Sequence, residues 1–359
     1  MKRLSIKFLV LITMLIGFPA AGILLTGQSL DPYIEFPPDT HFIEKAPFSW
    51  GVFAFFLVLI LITLMILSSL IGKAVRQSIP QPAVKRFPWW GWLAVACLAV
   101  FWTIAWNRFE WTASFQEHTF FPLWGCYIVI INALTYRRSG RCMLTERPVF
   151  FVSLFPVSAF FWWFFEYLNR FVQNWHYTGT QYGPFQYFLL ASLAFSTVLP
   201  AVLGTMDYLL SFSWLKEKLK LERRPSFHHP EILGWAGIVL ASATLLLLGV
   251  LPDILFPLLW VSPLIVIVSL KTLFGESHLL HLDNEDNQRR VVAAMLAALI
   301  CGVFWEMWNY WSLVKWYYSI PFVERFRLFE MPILGYSGYL PFGVECAVIG
   351  NAVAGVLKR

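Results

Sequence analysis

The sequence predicts an all-α polytopic membrane protein with about ten transmembrane helices. Three observations support this fold class: 58% of the 359 residues are hydrophobic, only 13% are charged, and the mean hydropathy is +0.63. Soluble domains carry about 25% charged residues. Because one helical span needs about 20 apolar residues, ten spans account for roughly 200 residues, and no large soluble domain is expected beside them.

Hydropathy divides the chain into ten apolar segments, which we predict as spans. The first follows a basic N-terminus and resembles a secretory signal, but it is long and lacks a small-residue cleavage site, so we interpret it as a span. Leu251 and Pro252 separate two spans within about forty apolar residues, enough for two crossings. The ten segments are 8–25, 48–72, 89–107, 119–136, 148–170, 184–210, 231–250, 253–273, 290–311 and 331–356.

The distribution of basic residues predicts the orientation of the spans. Of the 27 lysine and arginine residues, 21 fall at the N-terminus and in alternate loops. By the positive-inside rule both termini are cytoplasmic, in the inner membrane of a bacterium. Membrane lipids are therefore the expected partners of the basic loops, and nucleic acid is not. The opposite loops hold only Lys45, Arg108, Arg170, Lys315, Arg325 and Arg327.

An internal repeat divides the chain into two N-terminal helices with an outer loop, 1–88, and two four-helix units, 89–211 and 231–359. Because each unit has an even number of spans, both enter from the same side, and we predict a pseudo-two-fold axis along the membrane normal. Three motifs recur at offsets of 140 or 141 residues: Glu166-x-x-Asn169 with Glu306-x-x-Asn309, Trp175-x-Tyr177 with Trp316-x-Tyr318, and Ser196-x-x-Leu199-Pro200 with Ser337-x-x-Leu340-Pro341.

Two glutamates inside the predicted spans are the candidate catalytic residues. Glu345 lies roughly 20 Å along the last span, near the bilayer midplane. It follows Ser337 and Pro341 at four-residue steps, which predicts a shared face toward the bundle interior, and Pro341, like Pro200, is expected to kink its helix. Glu306, in the ninth span, is the second candidate. We expect Glu345 to be held protonated by its apolar surroundings and to act as a general acid.

The polar and aromatic residues near these glutamates form the predicted substrate-binding set. Aromatic rings stabilise a carbocation through cation–π contact, and an Asn beside a Glu orients water. The alternative for each Glu–Asn pair is hydrogen bonding that holds helices together, and for each Trp-x-Tyr motif it is anchoring at the membrane interface. The set comprises Glu166, Asn169, Asn309, Trp316, Tyr318, Tyr336, Ser337 and Tyr339.

Neither a metal ion nor a cofactor is expected. The chain lacks a phosphate-binding glycine loop and a nucleotide fingerprint. The pairs His228-His229 and His278-x-x-His281 fall in cytoplasmic loops, where a solvated, charged loop is favoured over a metal site. The cysteines have no paired spacing; they are Cys97, Cys126, Cys142, Cys301 and Cys346.

The second unit resembles membrane-embedded carotenoid enzymes, namely the lycopene cyclase domain family and, more loosely, carotenoid hydratase-type proteins. The resemblance implies proton-driven cyclisation or hydration of an isoprenoid double bond, with Glu345 as the proline-linked carboxylate and Glu306 as the preceding acidic residue. The family has tandem acidic residues after the proline and three-helix repeats, unlike this chain. The resemblance rests on Glu306 … Trp316-x-Tyr318 … Leu340-Pro341-x-x-x-Glu345.

Three functions fit these patterns. The first is an enzyme that acts on a lipid-like or isoprenoid substrate by acid catalysis from the intramembrane glutamates. The second is a proton-coupled transporter or lipid translocase, and the third is a non-catalytic membrane assembly subunit. The two units differ in acidic residues, since Leu189 and Gly204 of the first correspond to Glu330 and Glu345 of the second. This asymmetry favours the enzyme, although it leaves the alternatives open.

Overall fold

The computed structural model of the chain describes residues 2–38, 45–78, 83–179, 182–219 and 229–358. His228, one member of the histidine pairs, lies outside this range. The N-terminal region consists of helices α1 (Lys2–Ile12), α2 (Phe18–Leu25), α3 (Asp31–Ile34) and α4 (Trp50–Arg76), and a π-helical turn at Thr13–Gly17 joins α1 to α2.

The remaining elements follow in two series. The first contains α5 (Trp89–Trp106), a 3-10 helix (Glu110–Thr112), α6 (Ala113–Gln116), α7 (Phe120–Ser139), α8 (Met143–Glu146), α9 (Pro148–Val172), β1 (Trp175–Thr178), α10 (Pro184–Phe195), α11 (Val198–Leu210) and a π-helix (Trp214–Lys218). The second contains α12 (Pro230–Leu247), α13 (Pro252–Leu259), α14 (Ser262–Leu273), α15 (Glu285–Tyr310), β2 (Lys315–Tyr318), β3 (Arg327–Leu328), β4 (Met331–Pro332), a 3-10 helix (Ile333–Gly338) and α16 (Tyr339–Leu357).

The predicted class, a helical polytopic membrane protein, is confirmed. Within the described ranges, seven helical segments are long and apolar enough to span a membrane, and two bent pairs raise the number to nine. The bent pairs are Glu110–Gln116 with α7, at 78°, and α13 with α14, at 55°. The first predicted span corresponds to the shorter apolar helix Leu9–Leu25. The count of ten spans and the cytoplasmic position of the termini stay predictions.

The expected proline kinks take a different form. Pro200 and Pro341 are each the third residue of a new helix, α11 and α16, where a backbone N–H has no intrahelical partner. A break in the α-helix lies just before each proline instead, as a turn at Ser196 and Thr197 and as the 3-10 helix Ile333–Gly338. Ser337 lies in the preceding 3-10 helix, so of the three residues predicted to share one helix face only Pro341 and Glu345 belong to α16.

Helices α11 and α16 form the centre of the bundle. Residues 198–206 of α11 and 342–348 of α16 are all buried. Helix α11 packs against α7, α9 and α15, and α16 packs against α15. A Cβ atom at Gly343 would lie 2.0 Å from the carbonyl oxygen of Ala294, so α15 and α16 meet through their backbones. Small residues permit such close contact between helices in a membrane.

A two-stranded antiparallel sheet connects the two series of helices. Strand β1 follows α9, and β2 follows α15. In the register, Trp175 lies opposite Tyr318 and Tyr177 lies opposite Trp316. Strands β3 and β4 form a second short pair. Main-chain hydrogen bonds between β1 and β2 therefore join the segments that follow α9 and α15. These two helices carry the Glu-x-x-Asn motifs.

Candidate functional site

Two asparagine side chains hold the backbone in place where α9 is followed by β1 and α15 is followed by β2. Asn169 donates from Nδ2 to the Trp175 carbonyl oxygen at 2.7 Å and accepts at Oδ1 from the Asn174 N–H at 2.8 Å. Asn309 makes corresponding bonds to Trp316, at 2.8 Å to its carbonyl oxygen and 2.9 Å from its N–H. Both amides are thus engaged by backbone, and their assignment to substrate binding stays a prediction.

Glu166 on α9 is a buried carboxylate with several donors. Its Oε1 atom accepts from Tyr177 Oη at 2.6 Å and from the indole Nε1 atoms of Trp162 and Trp175, each at 3.0 Å. The sequence motif includes Trp175 and Tyr177 but omits Trp162. Helical spacing offers a signal for Trp162, because residues four apart lie on one face of a helix. Glu166 is therefore a hydrogen-bonded link between α9 and β1, and its assignment to substrate binding stays a prediction.

Glu306 on α15 is held differently. Its Oε1 atom accepts from Tyr318 Oη at 2.7 Å and from Tyr339 Oη at 2.9 Å, while Trp316 Nε1 donates to Tyr318 Oη at 2.9 Å. The Oε2 atom is buried and has no hydrogen-bond partner among the described residues. Since Tyr339 begins α16, the carboxyl group of Glu306 links three elements, α15, β2 and α16, and still keeps one oxygen free.

Glu345 is the least satisfied carboxyl group of the three. Its side chain is fully buried, with 0% exposure, and neither oxygen has a partner within the described part of the chain. It lies six residues beyond Tyr339, or about 9 Å along the helix axis. Most buried polar atoms in folded proteins are hydrogen-bonded, and exceptions carry a free-energy penalty. Three carboxyl oxygens, on Glu306 and Glu345, are thus open to a proton, a water molecule or a ligand.

An aromatic cluster that the sequence analysis missed separates the two hydrogen-bonded glutamates. Phe342, which is fully buried on α16, lies at its centre. Trp305 stacks on Tyr339 with ring centroids 5.9 Å apart, so one edge of the cluster borders Glu306. Trp162, the donor to Glu166, borders the other. The rings in contact with Phe342 are those of Phe161, Trp162, Phe165, Trp260 and Trp305.

Two further predicted residues lie in the 3-10 helix before α16. The Tyr336 ring is 6.0 Å from the Tyr339 ring, and its hydroxyl donates to the Leu328 carbonyl oxygen at 3.1 Å. Ser337 Oγ donates to the Leu334 carbonyl oxygen at 2.7 Å. Tyr336 therefore borders the Glu306 cluster, whereas the Ser337 hydroxyl is used within its own helix. Their part in substrate binding stays a prediction.

An ion pair that the sequence analysis did not include lies beside this cluster. Lys315 Nζ is 2.7 Å from Glu330 Oε1 and also donates to the Tyr310 carbonyl oxygen at 3.1 Å. Burial lowers the pKa of Lys315, but its hydrogen bonds to Glu330 and Tyr317 outweigh this effect and the net shift is upward. Lys315 is thus cationic at neutral pH and ties the start of β2 to the segment before β4.

The histidines and cysteines are the side chains that could bind a transition metal or form disulfides. Within the described ranges, no three His, Cys, Asp or Glu residues group as a metal site. The rings of His278 and His281 are tilted by 43° with centroids 3.8 Å apart, and His278 Nε2 lies 2.9 Å from Thr272 Oγ1. Burial, together with the nearby His281 and Lys271, lowers the pKa of His278 to about 4. All five cysteines are free thiols.

No protein-family model, curated protein or solved structure matches this chain. The apolar helices identify an integral membrane protein. Its function has to be inferred from the chemistry of its own side chains. The Glu306 and Glu345 carboxyl groups, with the aromatic rings beside them, are the candidate functional site. Residues of α15, β2 and α16 build it.

Proposed function

We propose that this membrane protein is an enzyme that acts on a lipid-like or isoprenoid substrate by acid catalysis from Glu345 and Glu306. The observation that carries the proposal is a set of three buried carboxyl oxygens, Oε2 of Glu306 and both oxygens of Glu345, that have no hydrogen-bond partner among the described residues. A purely structural carboxyl group would be expected to resemble Glu166, which has three donors. A catalytic role is one explanation for a buried polar group that lacks a partner.

The proposed reaction begins with protonated Glu345. Its proton adds to one carbon of a substrate double bond, the π electrons form the new C–H bond, and the other carbon becomes cationic. Loss of a proton from a neighbouring carbon to Glu306 restores a double bond, which gives net isomerisation or cyclisation. Attack by water with loss of its proton gives hydration instead. One proton returns to Glu345 in each cycle, so no oxidant or reductant is consumed.

The aromatic rings support a cationic intermediate. The Trp305 ring contacts the rings of both Tyr339 and Phe342, and these residues lie on α15 and α16, the helices that carry the two glutamates. A cation over an aromatic face is stabilised by about 2 kcal/mol when water is excluded. Tyr318 and Tyr339 also fix the orientation of the Glu306 carboxyl group, which leaves Oε2 as its reactive atom. The isoprenoid class itself rests on the resemblance to the lycopene cyclase domain.

The predicted repeat is part of the proposal. Asn169 and Asn309 make matching backbone bonds, and Tyr177 and Tyr318 donate to Glu166 and Glu306 in the same way. These matched contacts support two units, 89–211 and 231–359, related by a pseudo-two-fold axis. In this interpretation the first unit is structural and the second unit is catalytic, because Gly204 of the first unit occupies the position that corresponds to Glu345.

The test is mass spectrometry of small molecules extracted from gently purified protein. We expect wild type to retain a lipid or isoprenoid product and the Glu345→Gln and Glu306→Gln variants to retain a chemically different precursor. Glu231→Gln, at an exposed site on α12, is the control and should match wild type. Wild-type turnover of the identified precursor by Glu345→Gln would exclude the general-acid role. The same retained molecules in every sample would remove the enzyme proposal.

A proton-coupled transporter or lipid translocase is the second candidate, and the broken spans favour it. Helices α13 and α14 meet at 55°, and α16 follows a 3-10 helix within one span. Discontinuous helices of this kind line substrate sites in many transporters. This function predicts that Glu345→Gln abolishes pH-dependent flux in liposomes while no chemically altered molecule is produced. An assembly subunit predicts instead that a stable partner co-purifies and that both glutamate variants act normally.

A further inference from the structure

A cavity of about 590 Å³ lies at the end of the bundle where α11 ends and α15 begins. It is distinct from the Glu306 cluster, because the 16 residues of α15 from Arg290 to Glu306 rise about 24 Å. Its volume falls within the usual range of small-ligand sites, about 300–1,000 Å³. The lining comprises Leu210, Lys216, Asp286, Arg289 and Arg290.

Cationic side chains dominate this lining, since three cations and one carboxylate are found among its described residues. Arg290 donates to Asn351 Oδ1 on α16, a neutral acceptor, and its charge also acts on the nearby Asp207. Arg289 contacts Glu285 at 3.4 Å, but its Nε atom is buried without a hydrogen-bond partner in the described chain. Asp207, a further carboxylate on α11, is already paired with Arg147 at 2.7 Å.

The opposite wall of the cavity is held in place by Arg138. Its Nε atom donates to Ser211 Oγ at 3.0 Å, and its guanidinium lies 3.6 Å from the centroid of the Phe212 ring. These contacts fix the turn between Leu210 and Lys216, which both line the cavity. The cations are therefore presented by α15 and by the π-helix, whose start is held by the contacts of Arg138.

We propose that this cavity binds a phosphate or diphosphate group. Guanidinium groups match phosphate oxygens in geometry and form charge-assisted hydrogen bonds with them, and the buried, unpartnered Nε atom of Arg289 offers such a donor. Leu210 adds an apolar wall at the end of a membrane span. The same chemistry suits a soluble phosphorylated compound and a phospholipid headgroup, and the experiment separates these sources. The site is independent of the reaction proposed for Glu345.

The test uses the full chain in detergent and calorimetric titration with inorganic diphosphate. Removing one charged contact weakens binding about tenfold, so we expect Arg289→Gln to raise the Kd by about that factor and Lys216→Gln, at an exposed side chain that tolerates change, to raise it less. Asp286→Asn should lower the Kd, because it removes the only carboxylate among the lining residues given above. Arg141→Gln, outside the lining, is the control.

The source of the phosphate is tested by native mass spectrometry of protein in mixed phosphatidic acid and phosphatidylcholine. Retention of phosphatidic acid that depends on Lys216 and Arg289, and that free diphosphate does not displace, indicates a lipid headgroup. Diphosphate binding without selective lipid retention indicates a soluble ligand. The proposal is overturned if wild type binds neither probe, or if Lys216→Gln and Asp286→Asn, shown to be folded by thermal unfolding, both bind like wild type.

Discussion

At the scale of single residues, three buried glutamates differ in the hydrogen bonds that they receive. Glu166 accepts three, Glu306 accepts two, and Glu345 has no partner among the described residues. A buried polar group that lacks its partner costs about 1–3 kcal/mol of stability. The buried carboxyl group of Glu345 therefore lowers the stability of the fold. We infer that its role at the centre of the bundle is not to stabilise the protein.

Replacing Glu345 by Met, which has a similar volume, should stabilise the protein. The change removes an unpaired buried carboxyl group, and such replacements raise stability by about 1 kcal/mol or more. The same change at Glu166 removes the acceptor of three donors and should lower stability by about 2 kcal/mol or more. Thermal unfolding of the three proteins in one detergent measures both effects. A lower Tm for Glu345→Met would mean that the carboxyl group has a partner.

His278 should make stability depend on pH. Burial, His281 and Lys271 lower its pKa from 6.5 to about 4, so the unfolded chain binds a proton more readily than the folded one between these values. Its contribution to stability is fully present above pH 6.5 and is lost as the pH falls toward 4. In thermal unfolding, the Tm should fall less between pH 7 and pH 5 for His278→Gln than for wild type. An equal fall in Tm for both proteins would contradict the lowered pKa of His278. His229→Gln, which replaces an exposed histidine, is the control.

At the scale of elements, the same small structure occurs at the ends of α9 and α15. The helix ends just after an asparagine, the asparagine amide binds the backbone of the following strand, and a tyrosine from that strand reaches back to the glutamate of the helix. The asparagine directs the strand back along the helix end, which brings the tyrosine hydroxyl within 2.6–2.7 Å of the glutamate. The pairing of β1 with β2 then brings the two copies together.

The register of β1 and β2 can be tested by crosslinking. His176 lies opposite Tyr317, and directly opposed residues of antiparallel strands have Cα atoms about 4.5–5.5 Å apart, which suits a disulfide. We expect the double variant His176→Cys/Tyr317→Cys to lose two hydrogens in intact mass on mild oxidation. His176→Cys/Lys315→Cys, two residues out of register, should remain reduced. Oxidation of the second pair in preference to the first would contradict the strand register.

At the scale of the whole molecule, the few cations of the predicted outer side all have partners. Arg108 donates to the Trp311 carbonyl oxygen at 2.7 Å, Arg170 to that of Tyr33 at 3.0 Å, and Arg325 lies 4.3 Å from the centroid of the Phe48 ring. Lys45, Lys315 and Arg327 pair with Asp253, Glu330 and Glu324. Except for Arg327 and Glu324, which lie three residues apart, these contacts join segments that are separate in sequence. They give a structural reason for basic residues where the positive-inside rule disfavours them.

Local features of the molecule were predictable from sequence, and long-range ones were not. Hydropathy located the apolar helices because each is contiguous, and the recurring motif contains Glu306 and Tyr318, which are hydrogen-bonded to each other. Tyr339, which also donates to Glu306, lies outside that motif. The pairing of β1 with β2 and the lining of the cavity join segments far apart in sequence. Phe342 and Trp260 were missed because 18% of the residues are aromatic, so no pattern separates the central rings from the others.

The backbone contact at Gly343 has a consequence for chemistry. Because the backbones of α15 and α16 touch there, the two helices have no intervening side chain at this point that can change rotamer. Glu306 is on one helix and Glu345 on the other, and the contact lies between them along α16. The distance between the two helices at this level is consequently set by backbone atoms. Under the proposed function, Gly343 would thereby set the interval between the two acids that a substrate has to fit.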